Sequence, residues 1–266
     1  VSRLAELIAA TRPATLVAAM RWTRYCARAV TDLTVVPELR LLLGNPGWQE
    51  LWRKDIRPFV RYAHKMFGIQ VEIFNPERVP LEPQYVLVAN HRSWFDQLAL
   101  IEGFERGIHF LAHQKYFELP VFGHTFRKII QGIPVENRKL SEENQSVLRE
   151  YLKRGDWVCY YPEGTRGSGR ELLPFRSGAF RVSAEHGIPV LPLYIFGAEA
   201  VLSKQKSMLT VRGGEIVVRV GVPQTFSPDG LDAQIAAFEA KYRANYQAWY
   251  DEPRAAPGGS SNPPRA

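Results

Sequence analysis

The chain has 266 residues, 45% hydrophobic and 23% charged, the balance of a globular protein with room for one large core. A formal charge of +7 calls for an acidic partner: nucleic acid, an anionic membrane or a phosphorylated substrate. The sequence has no zinc-finger spacing, RNP-like aromatic motif or long Lys/Arg block, which sets nucleic acid aside, and its two distant cysteines, Cys26 and Cys159, exclude a disulfide framework or a Cys-type metal site and fit a reducing compartment.

No uncharged apolar run approaches the ~18–20 residues of a membrane span. The nearest, residues 187–198, is short and broken by Pro189 and Pro192. Arg3, Glu6 and Arg12 break any apolar core of a signal peptide. The chain opens on Val1 rather than Met, which leaves room for an upstream segment. Any membrane contact of these residues is expected from one side only.

Residues 1–67 read as helical. Over residues 14–31, Arg21, Arg24 and Arg28 recur at helical spacing beside Trp22 and Tyr25, with Leu16, Val17, Met20 and Ala27 as apolar partners. Over residues 48–67, Trp48, Leu51, Trp52, Phe59, Val60, Ala63, Met66 and Phe67 follow three/four spacing, and Arg53, Lys54, Arg57, Arg61 and Lys65 form the polar side. Pro58 is expected to kink or split that helix. Basic helices with tryptophan suit either the surface of their own domain or a lipid interface, aromatics at headgroup depth and cations on phosphates.

Strands are expected at residues 71–73, 85–89, 109–112, 133–135, 157–161, 190–196, 209–212 and 216–220, with helices between many of them. Ser141 caps one helix, with Glu142 and Glu143 in its first turn, Lys153 and Arg154 in its last and Gly155 as its stop. Gly213-Gly214 reads as a hairpin turn between the last two strands, and a helix over residues 231–249 closes the fold. The expectation is an α/β fold: a single mixed, largely parallel sheet flanked by helices over residues 68–250, after the N-terminal helical segment 1–67. Residues 251–266, rich in Pro, Gly, Ser and Ala, are expected to be a disordered tail.

Two polar clusters stand at the ends of buried strands, where ligands of α/β sheets meet the chain. The first is Asn90-His91-Arg92-Ser93-Trp94-Phe95-Asp96. Ser93 and Asp96 have capping-box spacing. His91 and Asp96 also suit a base and its orienting carboxylate. Five positions turn about 140° on a helix, so the two meet only with His91 on the loop and Asp96 in the first turn. Both readings fit. The second is Pro162-Glu163-Gly164-Thr165-Arg166-Gly167, in which Gly164 permits close approach, Thr165 offers a hydroxyl and Arg166 a planar fork for phosphate. A Gly-rich surface turn is its plainer reading.

Together, Asn90-His91-x4-Asp96 and Tyr161-Pro162-Glu163-Gly164-Thr165-Arg166 resemble the glycerolipid acyltransferases typified by 1-acylglycerol-3-phosphate acyltransferase. KYFELPVFG at residues 115–123, Gly132 to Arg138, Ile188-Pro189-Val190-Leu191-Pro192-Leu193 and Gly214 to Pro223 are similar to further family blocks in the same order. The resemblance runs from Gly68 to Pro223. Two departures stand out: no apolar leading helix, and Phe175-Arg176-Ser177-Gly178 where a lysine-bearing stretch is more usual.

The resemblance implies direct transfer of a fatty acyl group from acyl-CoA or acyl carrier protein to the hydroxyl of a lysophospholipid. EGTR points to 1-acylglycerol-3-phosphate as acceptor, the alternatives being another lysolipid or a glycerol phosphate acceptor, or a non-catalytic lipid-binding module. His91 would be the base, Asp96 its orienting partner and Ser93 a cap. Arg138 and Arg166 would bind the acceptor phosphate, with Gly164 and Thr165 in the same pocket. Glu163 would organise that pocket through the acceptor or Arg166. Backbone N–H groups near Gly164 or Ser93 would meet the oxyanion. No cofactor or metal is expected, and the protein is expected at an anionic membrane surface, peripheral and on the cytoplasmic side.

Overall fold

The computed structural model of the chain describes residues 13–44, 47–79, 84–119, 122–137 and 139–251. Two long helical segments come first. α1 spans residues 13–44 as Pro13–Val30, a π turn at Thr31–Val35, and Val36–Gly44. α2 spans residues 48–67 as Trp48–Leu51, a π turn at Trp52–Ile56, and Arg57–Phe67. The two wide turns share a cause. Pro37 and Pro58 lack an N–H and their rings press on the preceding turn, so Val36 and Arg57 just before them donate five residues back, to Thr31 and Trp52. Pro58 thus widens α2 without ending it. Gly68, in the left-handed region at φ 70°, is the stop.

The apolar side of α2 is core: Trp48, Leu51, Trp52, Phe59, Val60, Ala63 and Phe67 are all buried. Trp48 donates its indole N–H to the Ile129 carbonyl at 3.0 Å, and Trp52 to that of Phe104 at 3.3 Å. These two tryptophans are therefore not interfacial, which corrects the lipid-facing reading of α2. Each buried indole already has its hydrogen-bond partner. Trp22 and Tyr25 of α1 also turn inward, with centroids 5.0 Å from Phe67 and 5.4 Å from Phe59. Arg21, Arg24, Arg53 and Arg61 do face solvent, and Arg28 is exposed but paired with Asp32 at 2.6 Å.

Seven strands follow: β1 (Ile69–Phe74), β2 (Val86–Ala89), β3 (Ile108–His113), β4 (Ile133–Val135), β5 (Trp157–Tyr160), β6 (Val190–Phe196) and β7 (Gly214–Val220). They form one sheet in the order β1-β7-β6-β2-β5-β3-β4, with only the β6–β7 pair antiparallel. The main helices among them are α3 (Phe95–Gly103), α4 (Glu142–Lys153), α5 (Gly178–His186), α6 (Ala198–Val201) and α7 (Leu231–Asp251). Ser141 accepts from the Asn144 N–H at the start of α4. Alternation along β2 divides the core: Leu87 and Ala89 pack with α2 and α3, Val86 and Val88 with α4, α5 and α7. Both faces are covered, which is why β2, β5 and β6 read as continuous apolar runs.

The strand expected at residues 209–212 is not formed. The Ser207 hydroxyl accepts from the Leu209 N–H and the Thr210 hydroxyl donates to the Ser207 carbonyl, closing a 3-10 turn at Met208–Thr210. Gly213-Gly214 is correspondingly no hairpin. A Cβ on Gly213 would lie 2.8 Å from the Gly68 carbonyl oxygen, and Gly214 donates to that oxygen at 3.1 Å to begin the parallel β1–β7 pairing. Gly213 serves close backbone approach.

Candidate active site

β2 and β5 are parallel neighbours, so the two polar clusters leave the sheet at one edge. Asn90, wholly buried, extends the β2–β6 pairing with its side chain. Its Nδ2 donates to the Ile195 carbonyl and its Oδ1 accepts from the Ile195 N–H, both at 2.8 Å. The Asn90 N–H donates to the Tyr242 hydroxyl at 2.9 Å, which donates to the Leu193 carbonyl at 2.6 Å. The loop that follows starts from a fixed point.

Asp96 stands in the first turn of α3 with no exposed surface. Its Oδ2 accepts from His91 Nδ1 at 2.7 Å, the Arg92 N–H at 2.6 Å and the Ser93 N–H at 2.8 Å. One oxygen thus holds two loop N–H groups and orients the imidazole, but the expected capping box is incomplete: the Asp96 N–H meets the Ser93 carbonyl at 3.4 Å, and Trp94 precedes the helix without a side-chain cap. Facing an acceptor-only carboxylate, Nδ1 bears the ring hydrogen and Nε2 keeps its lone pair. The His91 side chain retains 13% exposure and its ring stacks on Tyr161, centroids 4.1 Å apart. The Ser93 hydroxyl donates to the Leu202 carbonyl at 2.7 Å and accepts from the Phe95 N–H at 3.2 Å.

The second cluster clasps the first. Glu163 Oε1 accepts from the His91 N–H at 2.9 Å, and the Gly167 N–H donates to the His91 carbonyl at 2.8 Å. Glu163 Oε2 accepts from Arg92 Nη1 at 3.2 Å and from the Leu173 N–H at 2.8 Å. Glu163, expected to organise the pocket through the acceptor or Arg166, pairs with Arg92 in the interior, where both side chains are under 4% exposed and each is the other's counter-charge. Burial opposes the charge on Arg92, but Glu163, Tyr246 and Glu199 outweigh it and hold the guanidinium above its ordinary range. Sequence reasoning assigned Arg92 no role. Nothing in the sequence marks it; in the fold, a Cβ on Gly167 would lie 1.6 Å from Arg92 Nη1.

Gly164, at φ 67°, lies under Arg176, whose Nε would be 2.7 Å from an added Cβ. Thr165 accepts from Lys204 Nζ at 3.3 Å, and the same ammonium donates to the Arg166 carbonyl at 2.8 Å. The Arg166 guanidinium lies over the Trp94 ring, 5.0 Å from its centroid. Arg138 lies outside the described residues. Of the backbone donors expected to meet an oxyanion near Gly164 or Ser93, the Ser93 N–H is engaged by Asp96 and the Gly164 N–H by the Tyr161 carbonyl at 2.9 Å. Among the described residues no group of three His, Cys, Asp or Glu is placed to hold a metal ion. Burial pushes the Cys159 thiol up, away from any nucleophilic role.

The acyltransferase family model matches residues 70–196, which include both clusters. Over this stretch, just under half of its length, the chain resembles the acyltransferase family. It is 29% identical over 202 residues to human 1-acyl-sn-glycerol-3-phosphate acyltransferase beta, covering 74% of this chain and 70% of that one. It is 31% identical over 146 residues to a probable 1-acyl-sn-glycerol-3-phosphate acyltransferase of Mycoplasma pneumoniae, and spans about half that relative's length, 54%. The crystal structure of the 1-acyl-sn-glycerophosphate (LPA) acyltransferase PlsC from Thermotoga maritima shares the fold, with TM-score 0.70, 18% identity, and coverage of 90% of this chain and 98% of that one.

Proposed function

We propose that the protein transfers a fatty acyl group from a thioester donor, acyl-CoA or acyl carrier protein, to the hydroxyl of a lysophospholipid, 1-acylglycerol-3-phosphate first among them. The observation that carries this reading is His91: Nδ1 held by buried Asp96, Nε2 left to accept, and backbone clasped by the loop that bears Arg166. The similarity to 1-acyl-sn-glycerol-3-phosphate acyltransferases supports the acceptor class.

The chemistry follows. Nε2 takes the proton of the acceptor hydroxyl as its oxygen bonds to the thioester carbonyl carbon. Asp96, across Nδ1, stabilises the imidazolium so formed. Collapse of the tetrahedral intermediate breaks the carbon–sulfur bond, and the departing thiolate receives the proton from Nε2. The products are the ester and the free thiol, and His91 returns to its starting state. Arg166 binds the acceptor phosphate, with Arg138 as a second candidate for that role, and Gly164 and Thr165 shape the loop beneath it. No cofactor enters the proposed cycle.

The acceptor resides in a bilayer, and no helix among the described residues is long and apolar enough to cross one. In our proposal α1 rests on an anionic membrane surface, on its cytoplasmic side. Val35, Leu39, Leu42 and Leu43 are exposed on α1, the last two at 81% and 78%, and Arg21 and Arg24 are exposed on the same segment. The test is thiol release from a long-chain acyl-CoA. Release that depends on 1-acylglycerol-3-phosphate and persists in EDTA supports the reading. Binding of the lysolipid without thiol release from any donor would contradict it.

A further inference from the structure

We propose that Arg176 and Lys204 complete, with Arg166, a three-cation cradle for the dianionic phosphate monoester of the acceptor. The inference rests on the acyl-transfer reading of the same site and adds two residues from loops outside both motifs.

The three cations come from separate parts of the chain. Arg166 belongs to the loop after β5, Arg176 to the stretch before α5 and Lys204 to the connection between α6 and β7. They converge on one short loop. Lys204 hooks it through the Thr165 hydroxyl and the Arg166 carbonyl, which leaves one ammonium hydrogen free. Arg176 lies across Gly164, and only a glycine permits that contact, since the backbone there has φ 67° and a Cβ would meet Nε at 2.7 Å. Arg166 is propped on the Trp94 ring. No carboxylate among the described residues pairs with any of the three. Three cations brought to one loop with no paired carboxylate suit a bound dianion, which can take a charge-assisted bond from each.

Position decides which phosphate. This loop also holds His91, through Glu163 on its N–H and Gly167 on its carbonyl. The cations are therefore placed within one loop of the base. In 1-acylglycerol-3-phosphate the phosphate ester and the free hydroxyl are on neighbouring carbons, so a hydroxyl at Nε2 brings its phosphate to this loop. The phosphates of a CoA or carrier-protein donor are separated from the thioester by the whole pantetheine arm.

The test uses the full chain with Arg176→Gln and Lys204→Gln, both at exposed positions. Each variant is expected to raise the KM for 1-acylglycerol-3-phosphate about tenfold, the loss of one charge-assisted bond, with the KM for acyl-CoA within about twofold. The preference for 1-acylglycerol-3-phosphate over 1-monoacylglycerol, as a ratio of kcat/KM, should fall by the same factor. A rise confined to the acyl-CoA KM would overturn the proposal and move the cations to the donor. Unchanged values for both substrates would overturn it in favour of solvated side chains. Calorimetric titration of sn-glycerol 3-phosphate into His91→Ala, with and without the two changes, separates this proposal from acyl transfer itself. If that binding needs Arg176 and Lys204 while the unaltered protein releases no thiol, the cradle stands and the acyl-transfer reading fails. If the unaltered protein turns over and the titration ignores both residues, the cradle fails alone.

Discussion

Glu163→Ala distinguishes a brace from a substrate ligand. The carboxylate holds a buried arginine and two backbone N–H groups, those of His91 and Leu173. Its removal leaves Arg92, 1% exposed, without its counter-charge. Breaking a buried pair in this way costs about 3–5 kcal/mol. For a domain of this size each kcal/mol moves the midpoint by roughly 2–4 °C, so the expected fall in Tm is roughly 6–20 °C. Glu163→Gln keeps an acceptor and should fall between the two. The assay is a calorimetric melt alongside steady-state thiol release below the lowered Tm. The brace predicts a fall in kcat for both substrates together, because His91 loses its backbone hold. A Tm within about 2 °C of the unaltered protein, with only the acceptor KM raised, would refute the brace and return Glu163 to the substrate.

Gly167→Ala should cost about 1–3 kcal/mol in a denaturant melt and most of the activity, because a Cβ 1.6 Å from Arg92 Nη1 forces the clasp off His91. A variant with unaltered stability and turnover would remove Gly167 from the account. Sedimentation with anionic vesicles should weaken about fivefold or more for each of Arg21→Glu and Arg24→Glu, and weaken further with salt. Binding to neutral vesicles that ignores both changes would leave α1 as packing alone. At the far end of the sheet, burial works to raise the Asp156 carboxyl, but His109, Arg154 and Gln49 outweigh it and hold it below the usual carboxylate range. Its stabilisation is therefore present above the unfolded value of about 3.9 and lost as pH falls through the depressed folded value. Asp156→Asn should flatten that acid limb, and an unchanged limb would assign the acid transition to other carboxylates.

Much of this is legible in the sequence, for physical reasons that also mark the limits. The strands bearing the two clusters show themselves because both faces of β2 and β5 are buried, which forces unbroken apolar runs. The meeting of His91 and Asp96 follows from helix geometry once Asp96 is placed in a first turn. Charge partners separated by many positions do not announce themselves. Arg92 and Glu163 are 71 positions apart, and only the folded chain shows that they neutralise each other. The tryptophans mislead because one periodicity serves both a core-facing and a lipid-facing helix, and Trp48 and Trp52 are settled by carbonyls of Ile129 and Phe104. Gly213-Gly214 misleads in another way, since two glycines serve a hairpin or a close crossing equally well.

The central claim is that His91 Nε2, set by Asp96, accepts the proton of the acceptor hydroxyl. The most direct measurement is thiol release from acyl-CoA with 1-acylglycerol-3-phosphate for His91→Ala and Asp96→Asn, each with its Tm. The account predicts that His91→Ala lowers kcat at least about a hundredfold with a near-unaltered melt, since the ring is partly exposed and Asp96 keeps two backbone donors. Asp96→Asn should lose a comparable factor and also some stability, because the amide takes the place of an oxygen that serves three donors. Near-normal turnover in His91→Ala, or a loss of activity that only tracks a lowered Tm, would contradict it.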